Sequence, residues 1–416
     1  MIPAPVPGPP VALYVHVPFC VSLCPYCDFV VYAGAAARGP AARVDGYVEA
    51  LLTEIGLRAD ALDEAFGPPG SPARAGLETV YLGGGTPTLL PSSSIAAILD
   101  VARARFGIAP GAEITIEANP GPDERGVARE LADAGIDRLS LGAQAFGARQ
   151  LRRLGRRHRP SDVADAVHEA REAGVRSVSL DLLYDAPGQS LEVWSDTLDA
   201  AISLGVDHVS AYGLTLDDPD DEGLTGPLGD HLPTRAGARR WREAAIREQD
   251  DDRAAAQYAL AVERFAAAGF RGYEISNWAR PGHESRHNLV YWRRRSYEAV
   301  GPGAHAFDGV TRRFNAARLD GYVRALVPTD GTAPALPPGG AEVIDARTAD
   351  VEATILALRL DDGLALDDAE SGMLAPHLAW AHGAGLLERT DRAAGPRVRL
   401  TTRGRLLSNE LFARLV

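Results

Sequence analysis

The chain has no lysine among its 416 residues, so every strongly basic side chain is an arginine. That absence excludes a lysine Schiff base and a lysine general base. Cysteine is scarce too: there are three, all within residues 20–27. An odd, tightly clustered set is no disulfide framework. It reads as metal ligation in a reducing compartment. No apolar run reaches the roughly 18 residues that a membrane-spanning helix needs. The Pro-rich, uncharged start MIPAPVPGPP is unlike a signal peptide. A net charge of -13 argues against broad nucleic-acid or anionic-membrane binding. A cytoplasmic protein is the expectation. Apolar residues at 46% and charged residues at 24% fit an ordinary globular chain with a sizeable core.

What is present is an alternation. Residues 1–11 read as a disordered lead-in. ALYVHV (Ala12–Val17) has strand length and composition, a cysteine loop follows, and apolar spacing from about Arg43 to Leu57 is helical. Strand Leu77–Leu82 precedes GGGTP and helix Ile95–Ala104, and strand Glu113–Ala118 precedes helix Arg125–Ala134. DRLSLGAQ is a strand before helix Asp162–Ala173, VRSVSLDLLY is a strand before helix Glu192–Leu204, and DHVSAYGL is a sixth strand. Gly174 and Gly205 end the last two helices, as C-terminal glycine usage predicts. About six β–α units imply an α/β fold with a parallel sheet, either a barrel or an open doubly wound sheet. In both, ligands sit at the carboxyl ends of the strands. Cys20, Gly83–Thr86, Glu117, Gln144, Asp181 and Thr215 all fall at or just past such an end.

After this core, read as residues 12–216, the pattern changes. Residues 217–324 open acidic and turn-rich, turn helical to about Gly269, and then carry YEISNWARPGHESRHNLVYW. Residues 325–340 are Pro/Gly-rich and read as a linker. Residues 341–416 read as a small mixed helical, winged-helix-like appendage.

The cysteine segment is YVHVPFCVSLCPYCDF. Three thiolates from one loop, Cys20, Cys24 and Cys27, can meet one face of a cuboidal iron–sulfur cluster and leave the fourth iron open. The competing reading is a structural zinc knuckle, which needs a fourth ligand such as His16.

The motif, the GGGTP loop and the strand order resemble the radical SAM superfamily, and within it the relatives of the oxygen-independent coproporphyrinogen III oxidase. The resemblance runs from about Tyr14 to Phe412. It implies a partial (β/α)6 barrel, a [4Fe–4S] cluster, and S-adenosylmethionine (SAM) held on the open iron by its amino and carboxylate groups. In that family a reduced cluster cleaves SAM to a 5′-deoxyadenosyl radical. The resemblance places Tyr14 near the cluster and the backbone of Tyr26 beside the adenine. It sets Gly84, Gly85 and Thr86 against the methionyl amine, and Glu117 and Gln144 along the SAM site. Arg156 would pair with the SAM carboxylate, Asp181 would accept from the ribose hydroxyls, and Thr215 sits nearby.

Two branches compete: the oxidase itself, and HemW-type haem chaperones, which bind haem and deliver it. The oxidases carry a further cysteine two places after the motif, where this chain has Phe29. HNLVYW (His287–Trp292) resembles the chaperone signature, and the oxidases have a longer N-terminal extension. All three favour the chaperone, with coproporphyrinogen oxidation, or radical chemistry on another tetrapyrrole, as the alternative. The reading brings in haem, a haem-acceptor protein, an electron donor such as a flavodoxin or ferredoxin, and peripheral membrane contact during delivery. His287 is the candidate haem ligand, Arg293–Arg295 are candidate propionate partners, His283 is a weaker ligand candidate, and His305 is placed on the SAM side. Where Asp185 stands, family members commonly have Gly.

Overall fold

The computed structural model describes residues 7–39, 42–392 and 395–416. Six strands form its centre: β1 (Ala12–Val17), β2 (Leu77–Gly84), β3 (Ile108–Ala118), β4 (Arg138–Gln144), β5 (Ser177–Tyr184) and β6 (His208–Gly213). They are parallel and lie side by side in chain order. The connecting helices include α1 (Val44–Phe66), α2 (Ser92–Phe106), α3 (Ala128–Ala134), α4 (Pro160–Glu172) and α5 (Leu191–Ser203).

Alternation along the strands decides between the two parallel architectures. Leu13, Val15, Val80, Leu82, Ile114, Ile116, Leu139, Leu141, Val178, Leu180 and Val209 join one buried cluster with residues of α1, α2, α4 and α5. The intervening positions carry Tyr14, His16, Tyr81, Glu117, Arg138, Ser140, Asp181 and Ser210. Successive strand side chains point to opposite faces, so these polar residues line the face away from the helices. A doubly wound sheet is covered by helices on both faces and reads as near-continuous apolar runs. Here one face is apolar under helices and the other is polar, which is the wall of a partial (β/α)6 barrel. Each buried Leu, Ile or Val contributes about 1.5–3 kcal/mol, so this one-sided core holds the wall while the inner face stays free for chemistry.

The sheet extends beyond residues 12–216. β7 (Asn277–Ala279) pairs antiparallel with β6, and β8 (Glu298–Val300) pairs parallel with β1. Residues 217–324, which follow the stretch read as the core, therefore supply both flanks of the barrel wall. It also holds α6 (Asp251–Ala267), α7 (Arg286–Trp292) and the antiparallel strands β9 (His305–Phe307) and β10 (Thr311–Asn315). The stretch read as a linker ends in a strand: β11 (Gly339–Val343) pairs with β10. Its glycines are needed there, because a Cβ on Gly340 would lie 2.6 Å from the Phe314 ring. The lead-in is tied down from Gly8, whose N–H donates to Asp308 O at 2.8 Å; residues 1–6 lie outside the described residues.

The C-terminal part has helices Ala346–Arg359, Leu366–Ser371 and Ala375–Gly383 and a three-stranded antiparallel sheet, with its own core around Leu358, Leu378, Leu400 and Leu411. Helices followed by a strand hairpin match the winged-helix-like expectation. Among the described residues no helix is long and apolar enough to cross a membrane.

Candidate functional site

The cysteine loop leaves the end of β1. Cys20 lies in the short strand Phe19–Cys20, paired with Tyr32–Ala33, and the Cys27 N–H donates to Cys24 O at 3.2 Å. All three thiols are unpaired and half-buried. Burial pushes the Cys20 thiol up to about 12; the Thr86 hydroxyl works against this and Cys24 adds to it. Burial, then Cys24 and Cys20, push Cys27 up as well. The sulfurs are thus near enough to feel one another's charge. Among the described residues no three such side chains are drawn together as a single metal ion would draw them. A cuboidal cluster places its thiolates on separate irons.

Arg242 shapes this loop, although nothing in its sequence surroundings marked it. The residue is 4% exposed, and its guanidinium donates to the carbonyls of Pro25 (3.3 Å), Tyr26 (3.4 Å) and Cys27 (3.0 Å). The backbone of Tyr26 is therefore fixed through its carbonyl, while its ring lies 6.3 Å from that of Trp241.

The glycine loop after β2 closes onto the same point. Gly84 has φ +102°, a region open to glycine, and a Cβ there would meet the His16 ring at 2.4 Å. A Cβ on Gly85 would lie 2.6 Å from Phe19 O. The Gly85 N–H donates to Val17 O and the Thr86 N–H to Phe19 O, at 2.9 and 2.7 Å. The loop is thus stitched to the cysteine loop by its own backbone.

A polar chain then links two of the thiols. The Thr86 hydroxyl contacts Cys20 Sγ at 3.6 Å and accepts from Asn119 Nδ2 at 3.0 Å. Asn119 Oδ1 accepts from Arg156 Nη2 at 2.5 Å, and Arg156 Nη1 reaches Cys24 Sγ at 3.5 Å. Asn119 also donates to Glu124 at 2.7 Å. Asn119 and Glu124 are further site residues that the sequence did not single out. Arg156 Nε and Gln144 Oε1 are buried with no partner among the described residues, and Gln144 has φ +64°. A non-glycine residue held in that region, with an orphaned amide oxygen, marks a constrained and unsatisfied position.

Glu117 accepts from the Tyr81 hydroxyl at 2.7 Å and from the Gly84 N–H at 3.0 Å, and burial holds its carboxyl up to about 7. Burial also raises Asp181, which accepts from the Ser140 hydroxyl at 3.3 Å. The Tyr14 hydroxyl meets His16 Nδ1 at 3.0 Å, and its ring stacks near Tyr81. Thr215 is exposed on the coil after β6, and no side-chain hydrogen bond ties it to this network among the described residues. Asp185 adopts φ +54°, a region that glycine enters freely, and is held by Arg253 of α6 at 3.1 Å. The backbone shape that glycine permits is kept here by an ion pair.

HNLVYW forms α7 against the polar face of the sheet. His287 is 1% exposed, with Nδ1 on Thr79 Oγ1 (2.7 Å) and Nε2 on Tyr291 OH (2.8 Å). Burial, then Arg138, lower its imidazole to about 3. Both ring nitrogens are hydrogen-bonded to side chains of the protein. His283 contacts Ser177 Oγ at 3.1 Å. Of the expected propionate partners, Arg294 pairs with Glu352 and Arg295 with Glu78, and only Arg293 has no carboxylate partner among the described residues. His305 lies outside the network of Thr86, Asn119 and Arg156: its Nε2 is 3.0 Å from Asp230.

Comparison with known proteins gives the family. Residues 14–201 match the radical SAM superfamily, and the chain is a radical SAM protein. It is 39% identical to the heme chaperone HemW of Mycobacterium tuberculosis (strain H37Rv) over 99% of this chain and 96% of that one. It is 30% identical to the heme chaperone HemW of Bacillus subtilis over 96% of this chain and 97% of that one. The chain belongs, within the superfamily, to the HemW haem chaperone family. Among solved structures, coproporphyrinogen III oxidase (HemN) from Escherichia coli, a radical SAM enzyme, aligns with a TM-score of 0.76 at 23% identity. That alignment covers 99% of this chain and 91% of HemN, and it shows a shared fold.

Proposed function

We propose that this protein is a haem chaperone that carries a [4Fe–4S] cluster on Cys20, Cys24 and Cys27, binds SAM beside it, and hands haem to an acceptor protein. The observation that carries the reading is the polar chain Thr86–Asn119–Arg156, which joins the sulfurs of Cys20 and Cys24 and leaves Arg156 Nε and Gln144 Oε1 buried without partners. Three soft thiolates, with no fourth cysteine in the sequence to join them, suit an iron–sulfur cluster with one open iron. The bound cluster would supply single electrons and a coordination site for an amino acid chelate.

The chain's own residues would do the rest. Arg156 would receive the SAM carboxylate, for which a guanidinium fork is suited. Gln144 Oε1 would accept from the ligand, and Asp181 would accept from the ribose hydroxyls. Gly84, Gly85 and Thr86 would pass the methionyl group close to the backbone, and Arg242 would keep the cysteine loop in shape. The electron donor in this reading is a flavodoxin or ferredoxin.

The test has two arms. Anaerobic reconstitution of the wild type gives about four irons per chain, and Cys24→Ala loses the cluster; full iron retention in that variant refutes the ligand set. The wild type binds haem and leaves coproporphyrinogen III unconverted in the presence of SAM and reductant. Accumulation of protoporphyrinogen would overturn the chaperone assignment.

A further inference from the structure

Charge is unevenly spread along the chain. Acidic residues number 56 against 43 arginines, yet between Asp137 and Asp162 there is no Asp or Glu and there are seven arginines. Six of the seven fall within residues 149–159, on the short helix Ala148–Arg153 and the turn behind it. Three of these six have work of their own: Arg156 reaches Cys24 and Asn119, Arg153 pairs with Glu248 at 3.0 Å, and Arg159 pairs with Asp162 at 3.2 Å. Arg149 and Arg152 are exposed, share a helix face at a spacing of three, and have no carboxylate partner among the described residues. Arg157 is exposed too, with Glu124 no nearer than 3.7 Å.

The turn that carries these side chains covers the cysteine loop. Gly155 is exposed at φ +69°, and a Cβ there would lie 2.8 Å from Pro25 Cδ and 3.9 Å from Cys24 Cα. Cys24 therefore sits directly beneath an exposed glycine, with Arg152 three residues before it and Arg157 two after. The Gly155 N–H donates to Arg152 O at 3.1 Å, and the Trp241 indole N–H donates to Arg153 O at 3.0 Å. The arginines thus stand on a fixed cover and not on a free arm.

A solvated helix face is the plain alternative, but solubility needs no basic patch in a chain of net charge -13. SAM does not fit the patch either, because its ammonium and sulfonium outweigh its carboxylate at neutral pH. Electron transfer falls off steeply with distance, so a protein carrier has to meet the surface nearest the thiolates. Complementary charge on such a rim steers the encounter more than it tightens the complex. Small, weak interfaces are the usual form of redox encounters.

Resting on the cluster of the proposed function, we infer that the face formed by Arg149, Arg152 and Arg157 around Gly155 docks the acidic one-electron carrier protein that reduces the cluster. One electron leaves the carrier, which is oxidised by one unit, and enters the cluster beside Cys24, which is reduced by one. No proton and no group moves. The three arginines hold the carrier and touch neither cluster nor SAM.

The test uses the full-length protein with its cluster reconstituted anaerobically, and a bacterial flavodoxin and a [2Fe–2S] ferredoxin as probes. Binding of each oxidised carrier is measured by isothermal titration, and cluster reduction by each reduced carrier is followed by stopped-flow absorption. Arg149→Glu/Arg152→Glu should weaken binding by about tenfold or more and slow reduction in proportion, while dithionite reduces its cluster as in the wild type. Arg347→Glu/Arg389→Glu, the same charge change in the C-terminal part, should leave both readings at the wild-type level. Wild-type binding should weaken between about 0.01 and 0.15 M salt, where the Debye length shrinks from about 30 to about 8 Å, and the Arg149/Arg152 variant should lose most of that dependence. Wild-type affinity and reduction rate in that variant, an equal loss in the Arg347/Arg389 variant, or no binding of either carrier to the wild type would overturn the docking face and leave the cluster standing. A selective loss of binding to phosphatidylglycerol vesicles, with carrier binding intact, would overturn it in favour of a lipid contact. A wild type that forms no cluster reducible by dithionite would overturn the reading beneath it.

Discussion

His287 gives the sharpest check on how the barrel interior is built. Its ring is buried and neutral, lowered to about 3 by burial and then by Arg138. In the unfolded chain an ordinary histidine titrates near 6.5. The unfolded state therefore binds a proton that the folded state refuses, and the stability that His287 contributes at neutral pH is lost as pH falls from 6.5 toward 3. Between pH 7 and pH 5, those two values give a loss of about 2 kcal/mol from this one residue. His287→Gln can still reach Thr79 and Tyr291 but takes up no proton. Guanidinium unfolding of both proteins at pH 7 and pH 5, followed by far-UV circular dichroism, isolates the effect. The variant starts less stable at pH 7 because its two hydrogen bonds are imperfect, yet its loss between pH 7 and pH 5 is smaller than that of the wild type by about 2 kcal/mol. The wild-type loss also includes His16, lowered to about 4, which the variant keeps. An identical pH-dependent loss in the two proteins would show that His287 is not a buried, neutral anchor.

Two further substitutions probe the cluster loop. Arg242→Ala removes three contacts to the carbonyls of Pro25, Tyr26 and Cys27; at about 1–3 kcal/mol for each buried group left unpaired, the reconstituted cluster should lose iron to a chelator several times faster, and wild-type loss kinetics would refute the role. Gly84→Ala combines a strained φ of +102° with a Cβ 2.4 Å from the His16 ring; a cost of about 2–4 kcal/mol is expected, read as a fall in thermal midpoint, and an unchanged midpoint would mean the loop can move away.

The elements were legible because their signals are local. Each β–α unit announces itself through an apolar run, turn residues and a terminal glycine, and the cysteine spacing carries its own chemistry. The choice between barrel and doubly wound sheet was also written in the chain, in the polar positions of EITIEA and VRSVSLDLLY. In EITIEA, Glu113, Thr115 and Glu117 alternate with Ile114 and Ile116. Other features were not legible for a physical reason. Arg242 acts 215 residues away from Cys27, from a stretch whose composition suggests a solvated surface. Asn119 sits in IEANP as apparent turn chemistry, and only the fold brings it between Thr86 and Arg156. Gly339 and Gly340 looked like punctuation because a glycine that admits a neighbouring strand cannot be told, in sequence, from one that ends an element.

The HNLVYW segment is built into the barrel wall at one end and open to a cavity at the other. Its histidine faces inward and bonds Thr79, while the backbone N–H groups of Arg286 and His287 donate to Glu113 on β3. Those contacts pin the start of α7 to the sheet. The far end of the same helix then presents Tyr291 and Trp292 to the cavity that also holds His231 and His305. In this arrangement the motif's imidazole anchors a wall, and the wall's aromatic rings line the cavity. Removing His287 would then loosen haem binding indirectly, by letting Trp292 drift, and would do so without changing the ligand spectrum of whatever haem remains bound. Removing a residue that ligates the iron would change the spectrum itself. Affinity alone cannot separate an anchor from a ligand, but the Soret band can, because it reports the atoms on the iron and not the packing behind them.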